Sequence, residues 1–435
     1  MNLDLTVRLT LLGLLGLVLG SFANWAIYRW AFFRAPVSPW LEPPKGHEQR
    51  SWVARLPVVG WWTRAAEVDA QLDAARARLT LMGYEVPKDW RPRLPFWFRP
   101  MLIELGMAFV VPWLYWFETE AGGLLPQGIQ VQAVILQHQG WFHWLYMGHL
   151  VLLLAMVVAT FIDFDEQLIP DVITIPVTLL AMVLGACSLH TFLPCPVVSN
   201  GVMSIVPTTL GQPGGWSEMW QDPLGLGIGC FLWTGWCFAL SNRRIITRQG
   251  WGKVLPFFVA IMRRDPMSKW LLLIWIVGMV FVGAIWQTGG TAWQGLATAL
   301  MGMAIGGGTI WAVRIVAGLA MGEEAMGFGD VTLMAMVGGF VGWQATGAAF
   351  FIAPLTSIFI VLLSFLLTGQ RMTPFGPYLC AGTIVTILYW PVIWTEAILP
   401  ALLLGPLFLT IMLVALLAMG ILLGIWRMIK TRLFA

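Results

Sequence analysis

The stretch TFIDFDEQLIPDVITIP, residues 160–176, joins two apolar runs through a short acidic turn. The run before it, 141–162, and the run after it, 172–190, each have about 20 residues, which is the length of a helix that crosses a bilayer. We therefore expect two membrane helices that meet at an acidic hairpin. The acids of this hairpin are Asp163, Asp165, Glu166 and Asp171.

The same apolar pattern recurs along the whole chain. Of its 435 residues, 58% are hydrophobic and 11% are charged, whereas soluble domains have about 25% charged residues. The 26 tryptophans suit the two interfaces of a bilayer, where amphipathic rings are enriched. We predict an all-α, polytopic helical membrane protein with about eleven transmembrane helices. The predicted spans are 9–33, 101–117, 141–162, 172–190, 224–241, 269–287, 293–317, 331–344, 346–368, 378–395 and 400–426.

Basic residues fall almost entirely on one side of these spans. The 34–100 loop carries eleven Lys and Arg residues and the 242–268 loop is also basic, whereas the loops 118–140 and 191–223 on the other side have none. Under the positive-inside rule the basic side is cytoplasmic, so we expect the N-terminus outside and the C-terminus in the cytoplasm. The first apolar segment lacks a basic region before a short apolar core, and we expect it to remain as a span.

The spans and loops suggest three parts: 1–33, the first transmembrane helix; 34–100, a cytoplasmic loop domain; and 101–435, the polytopic membrane domain. Within the loop domain, apolar residues at helical spacing predict a helix over about 65–82. The outer loop 191–223 is rich in Gly, Pro and Ser and is expected to be irregular.

Acidic residues inside a membrane are costly and are therefore candidates for function. Asp330, in MGFGD, lies where a cytoplasmic loop enters a span, and Glu104 lies one turn inside the second span. With the acids of the 160–176 stretch, they all lie at the cytoplasmic edge. The glycine-rich stretch GMAIGGGTI, 302–310, lies within an apolar run and is expected to serve close helix packing.

Two neighbouring carboxylates share one proton more readily than both ionise. The ionised member then takes a proton from water, and the protonated member polarises a carbonyl. Gly327 and Gly329 would let the backbone approach a substrate strand. Pro170 and Pro176 are expected to interrupt the helix near the acids.

Simpler interpretations compete with each of these assignments. A hairpin in contact with water carries polar residues for solvation alone, which would account for Asp165, Glu166 and Asp171. A glycine turn followed by an aspartate helix cap would account for GFGD. Glu104 would serve equally in an ion pair with Arg99 or another loop cation.

Four blocks together resemble the type IV prepilin peptidases, which are membrane aspartic peptidases. In chain order they are GSFANWAIYRW (20–30), FIDFDEQLIPDVITIP (161–176), MGFGDVTLMAMVGGFVGW (326–343) and PFGPYL (374–379). The resemblance implies that Asp163 and Asp330 form the catalytic pair. Candidates for a supporting or substrate-binding role are Gly327, Gly329, Asp165, Pro170, Asp171 and Glu104.

The resemblance also implies a substrate and a location. The substrate would be a prepilin or pseudopilin precursor with a basic leader and a hydrophobic helix in the lipid bilayer, and no nucleic acid is implied. The protein would lie in the bacterial inner membrane with its active site facing the cytoplasm. The resemblance does not indicate which aspartate holds the shared proton, or the oligomeric state.

The chain departs from this family pattern in three ways. Many members carry two C-x-x-C pairs in the first cytoplasmic loop, but 34–100 contains no cysteine. We therefore expect this chain to bind neither zinc nor another cofactor. The same absence gives no support to an N-methyltransferase activity. The lysine that often follows the glycine-motif aspartate is replaced by Thr332. An added hairpin at about 224–287 and an extra helix at about 400–426 enlarge the membrane domain.

These departures leave two further hypotheses open. One is a non-catalytic membrane scaffold or assembly factor that descends from the same family. The other is a transporter that uses the acids as proton or cation sites, although such sites usually lie near the bilayer midplane.

Overall fold

The computed structural model describes residues 4–32, 52–64, 73, 77, 80–81, 95–126, 129–199, 202–241, 266–322, 326–368 and 374–434. Most of the helix predicted over 65–82 and most of the basic loops 34–100 and 242–268 lie outside these residues. The described residues are almost entirely helical, as the sequence predicts, so the all-α polytopic fold class is confirmed.

Fourteen α-helices are assigned here within the described part of the chain. They are α1 (Leu5–Trp30), α2 (Val59–Thr63), α3 (Phe98–Thr119), α4 (Val131–Gln137), α5 (Gln139–Glu166), α6 (Asp171–Cys187), α7 (Pro223–Leu240), α8 (Pro266–Thr288), α9 (Gly290–Met321), α10 (Phe328–Thr368), α11 (Gly376–Leu388), α12 (Trp390–Ile393), α13 (Leu399–Leu403) and α14 (Pro406–Phe434). Short 3₁₀ turns occupy Val53–Arg55, Leu189–Thr191 and Glu218–Trp220, and a π-helical turn, Trp394–Ile398, joins α12 to α13.

Among the described residues, eight helices are long and apolar enough to cross a membrane: α1, α3, α5, α7, α8, α9, α10 and α14. A ninth crossing is obtained if α11 and the α12–α13 segment, bent by 87°, form one broken span. Helix α6 is apolar but has only 17 residues. Two predicted spans are halves of α10, which kinks at Gly342, where φ is 79°. The count of eleven crossings and their orientation stay predictions.

The structure corrects three details of the sequence interpretation. Pro176 does not interrupt a helix, because α6 continues through it. The span predicted over 378–395 is bent after Leu388, where Pro391 opens a new helix in a position that tolerates its missing N–H. The last long helix begins at Pro406, after Gly405 with φ 58°, and not at residue 400.

The outer loop is also more regular than predicted. Strands β1 (Pro194–Ser199) and β2 (Val202–Pro207) pair antiparallel, with Ser199 opposite Val202. The prediction of an irregular loop was therefore wrong for this part of 191–223. The signal was present in the sequence, because Asn-Gly between two apolar runs is typical of a two-residue hairpin loop.

Two apolar clusters organise the packing. The core cluster joins α1, α3, α5, α10 and α11, and it contains Ile162, Ile169 and Leu333. The outer cluster is rich in tryptophan and joins α7 and α8, the predicted added hairpin, to α9; it contains Trp233 and Trp293. The aspartates of the candidate site lie beside the core cluster.

Helix α9 meets α10 through glycines. A methyl group on Gly302 would overlap the Gly338 carbonyl oxygen, and a methyl group on Gly338 would overlap the Gly302 carbonyl oxygen. Gly306 faces the Met334 carbonyl in the same way. The prediction that the 302–310 stretch serves close helix packing is confirmed.

Candidate active site

Asp163 lies in the last turn of α5 and is 4% exposed. Its backbone carbonyl accepts a hydrogen bond from the Gln167 N–H at 2.8 Å, and Gln167 ends the helix in the left-handed conformation, with φ 53°. The residues just before Asp163 are apolar and packed in the core, so the carboxylate is carried on a rigid helix end.

The turn after Asp163 leads directly into α6. Ile169 is buried in the core, and Pro170 occupies the N-cap position of α6 with φ −72°, a value that proline adopts without strain. Asp171 is the first residue of α6 and is exposed. Of these residues, Ile169 is the one that contacts the glycine motif described next.

Asp330 lies in the first turn of α10 and is 7% exposed. The Gly327 backbone N–H lies near its carboxylate and interacts with it favourably. Gly329 approaches the turn after Asp163 so closely that a methyl group there would lie 2.8 Å from Ile169 Cβ and 3.1 Å from the Ile169 nitrogen. The absence of a side chain at Gly329 therefore lets α10 begin beside the end of α5.

The start of α11 completes the contacts of Asp163. The Gly376 N–H donates a hydrogen bond to Asp163 Oδ2 at 3.1 Å. The first N–H groups of a helix have no partner within the helix, so the carboxylate satisfies one of them. A methyl group on Gly376 would lie 2.5 Å from Asp163 Oδ2, and this close approach explains a glycine in PFGPYL.

The structure brings the two predicted catalytic aspartates together. Asp163 and Asp330 belong to different helices, both are buried, and their carboxylates are close enough to interact electrostatically. Each is contacted by the backbone N–H of a glycine, Gly376 or Gly327. Such an arrangement of two carboxyl groups is suited to general acid and base chemistry.

Asp165 makes an ion pair with Arg99 near the site. Arg99 binds both of its carboxylate oxygens, at 2.6 and 2.9 Å, and also contacts the Tyr28 hydroxyl at 3.3 Å. The guanidinium lies over the rings of Tyr28 and Phe161. This pair ties the end of α5 to the start of α3.

Glu104 is buried at 1% exposure and anchors the segment 52–64. Its Oε1 accepts hydrogen bonds from Ser21 and Trp61, each at 2.8 Å, and from Asn24 at 3.2 Å, and its Oε2 accepts one from the Val58 N–H. These donors are neutral, and Arg99 pairs with Asp165 instead, so the suggested Glu104–Arg99 pair is not formed. The contacts of Glu104 indicate a structural position.

Thr332 has no charge that could pair with the Asp330 carboxylate. Its hydroxyl donates to the Gly329 carbonyl at 3.0 Å within the first turn of α10, and the side chain is buried. The positive charge that interacts electrostatically with Asp330 belongs to Arg314, on helix α9.

Sequence reasoning missed Arg314. It is the single charged residue in the α9 sequence, and a charge within an apolar span is a candidate for function by default. Its role depends on a contact with the turn before α10, which the sequence alone does not reveal.

Within the described residues, no group of three or more His, Cys, Asp and Glu side chains is arranged to hold a metal ion. The expectation of no zinc and no other cofactor stays an expectation.

Comparison with known proteins finds similarity to peptidases that process prepilin leaders. The model of the type IV leader peptidase family matches residues 254–369, which include the Asp330 motif. A prepilin leader peptidase/N-methyltransferase of Aeromonas hydrophila is 31% identical over 97 residues, 22% of this chain and 33% of that protein. A protein of the same name from Escherichia coli (strain K12) is 33% identical over 93 residues, 21% of this chain and 41% of that protein.

A third relative extends the matched region. The type 4 prepilin-like proteins leader peptide-processing enzyme of Escherichia coli O78:H11 is 29% identical over 160 residues, 36% of this chain and 58% of that protein. The chain therefore spans less than two thirds of the length of these curated relatives. No solved structure matches the chain. The matched region, residues 254–369, is therefore similar to the type IV leader peptidase family.

Proposed function

We propose that this protein is a membrane aspartic endopeptidase that removes the basic leader peptide from prepilin-like or pseudopilin precursors. Asp163 and Asp330 would be its catalytic residues. The observation that carries the proposal is the pair itself: two buried, interacting carboxylates on separate helix ends, each contacted by a backbone N–H.

The contacts of the pair suggest how it would act. One shared proton between the carboxylates leaves one of them as the base for a water molecule and the other as the acid toward the scissile carbonyl. The N–H of Gly376 fixes one oxygen of Asp163, so the other oxygen is available to water. The Gly327 N–H orients Asp330 in the same manner.

The backbone beside Asp330 would receive the substrate. Gly327 is exposed, and a methyl group built on it would meet no atom closer than 3.7 Å, the nearest being Asp330 Oδ2. A glycine next to a catalytic acid lets an extended peptide approach the backbone closely. We assign Gly327 to substrate contact and Gly329 to the packing of α10 against Ile169.

Helix ends set the level at which cleavage would occur. Asp163 ends one long apolar helix and Asp330 begins another, so both carboxylates lie at one edge of the helical bundle. The charge distribution predicts that this edge is cytoplasmic, in the bacterial inner membrane. A precursor would have its hydrophobic helix in the bilayer and its basic leader in the cytoplasm. The peptide bond between leader and helix would then lie at the level of the two aspartates.

The proposal is limited to the peptidase reaction. The names of two relatives also include an N-methyltransferase. The cysteine pairs that accompany this second activity in many family members are missing from 34–100, so methylation is left out of the proposed function.

Co-expression with a pilin-like precursor tests the proposal. Cleavage is followed by the mobility shift of the precursor on a gel, and the new N-terminus is identified by mass spectrometry. Asp163→Asn and Asp330→Asn keep the size of each side chain and are expected to abolish cleavage. Asp222→Asn, at the exposed start of α7, is the matched control and is expected to cleave normally.

Two results would contradict the proposal that this protein is an aspartic peptidase. Cleavage that survives both substitutions would exclude the aspartate pair as its catalyst. Absence of cleavage by the wild-type protein, with full biological function kept in both Asn variants, would favour the scaffold hypothesis instead.

A further inference from the structure

A single positive charge lies within the apolar helix α9, close to the candidate active site. Arg314 is half-buried, and it lies two turns before the end of α9 at Met321. Burying part of a guanidinium is unfavourable unless its donors are used and its charge is compensated. Its position therefore calls for specific partners.

The partners of Arg314 belong to the turn that precedes α10. Its Nε donates a hydrogen bond to the Met326 carbonyl at 2.9 Å. Its guanidinium carbon lies 5.8 Å from the centre of the Phe328 ring, within the range of a cation–π contact. Both contacts flank Gly327, whose N–H interacts favourably with the Asp330 carboxylate.

Arg314 thus contacts the turn on both sides of the glycine that orients Asp330. A guanidinium suits this position, because its planar fork can donate to a carbonyl while its face lies on an aromatic ring. The same charge acts electrostatically on Asp330. Helix α9 is itself fixed against α10 by the Gly302–Gly338 contact, so it provides a rigid support for the arginine.

We propose that Arg314 is a positioning residue, which holds the Met326–Phe328 turn so that Asp330 faces Asp163. The role in cleavage rests on the proposed function, whereas the effect on the turn does not. Arg314 does not touch the reacting atoms in this proposal and acts through Gly327 and Asp330.

Enzyme kinetics on the full-length protein in detergent or liposomes would test the role in cleavage. Arg314→Gln removes the charge and the cation–π contact, and kcat is expected to fall about 10- to 100-fold, which corresponds to the loss of one charge-assisted hydrogen bond. KM should stay within about twofold, because an interaction that only orients the catalytic group does not bind substrate. Arg314→Lys keeps the charge and is expected to recover part of the lost kcat.

The matched control is Arg427→Gln. Arg427 of α14 lies against Gly322 at the end of the same helix α9, and it lies beside Ala320. It is expected to leave kcat and KM unchanged. Wild-type kcat in Arg314→Gln, a loss confined to KM, or a Lys variant as weak as the Gln variant would overturn the proposal.

Hydrogen exchange provides a measurement that does not depend on cleavage. Peptides covering 326–334 are expected to exchange about tenfold faster in Arg314→Gln than in the wild type, since the hydrogen bond to the turn is lost. Unchanged exchange would overturn the positioning role. If the wild-type protein does not cleave any precursor, the proposed function fails, and the exchange experiment alone then decides the role of Arg314.

Discussion

Replacing Gly376 by alanine places a methyl carbon 2.5 Å from Asp163 Oδ2 and 2.9 Å from Ile169 Cδ1. Ile169 is packed in the core and has little room to move. The carboxylate is the more mobile neighbour, because it can rotate about its side-chain bonds. The substitution is therefore expected to turn Asp163 away and to break its bond with the Gly376 N–H.

The size of the effect follows from that bond. A hydrogen bond to a charged group contributes about 1.5–3 kcal/mol. If the full strength of the bond is needed only in the transition state, where it holds the base in place, its loss lowers kcat about 10- to 150-fold.

Folding should change much less. Crowding in a packed site lowers the free energy of unfolding by about 1–3 kcal/mol. Alanine in place of glycine in a helix raises it by about 1 kcal/mol. The net change in the free energy of unfolding is therefore about 0–2 kcal/mol, and the protein should still fold.

Precursor cleavage by the purified variant, with thermal unfolding measured in the same detergent, tests this expectation. Gly347→Ala in α10 is the matched control, because a methyl group there meets no atom within 4 Å, and cleavage should be normal. Wild-type kcat in Gly376→Ala would refute the reasoning. A loss of kcat matched by loss of folded protein would refute it as well, since the effect would then be on folding.

Two further substitutions test neighbouring contacts. Gly329→Ala would bring a methyl group 2.8 Å from Ile169 Cβ and 3.1 Å from the Ile169 nitrogen. Because the Ile169 backbone cannot move easily, we expect this overpacking to lower cleavage at least about tenfold in the gel assay. Normal cleavage by the variant would contradict this expectation. Glu104→Gln keeps the shape of the side chain but turns an NH₂ group toward a donor, so the free energy of unfolding should fall by about 1.5–3 kcal/mol. Its thermal unfolding should therefore shift downward, and an unchanged transition would exclude the anchoring role.

The fold class was predictable because a bilayer imposes it. Long apolar runs can span a membrane only as helices or closed barrels, and their lengths here fit helices. The bend at Pro391 and the β-hairpin after Pro194 were not predicted, although both have local signals in proline and in Asn-Gly. Hydropathy does not report either feature, because it measures apolar content and not the direction of the backbone.

The proximity of Asp163 and Asp330 was predictable, but their contacts with other residues were not. Helix boundaries placed Asp163 and Asp330 at one level of the membrane, and the ordered blocks distinguished them from the other acids. Which helix donates to which carboxylate depends on neighbours far apart in the chain. That is why the bond from Gly376, the charge from Arg314 and the neutral donors around Glu104 became visible only in the structure.

Helix α9 is shared by both apolar clusters, and this has a consequence for natural variation. One face meets α10 through Gly302 and Gly306, and another packs Trp293 against the added hairpin. A substitution in α7 or α8 disturbs the outer cluster alone, whereas a substitution in α9 must suit the packing of both clusters. Across related sequences, the α7–α8 hairpin should therefore vary most in sequence and length, or be absent. Helix α9 should vary less, and its substitutions should be accompanied by substitutions in α10.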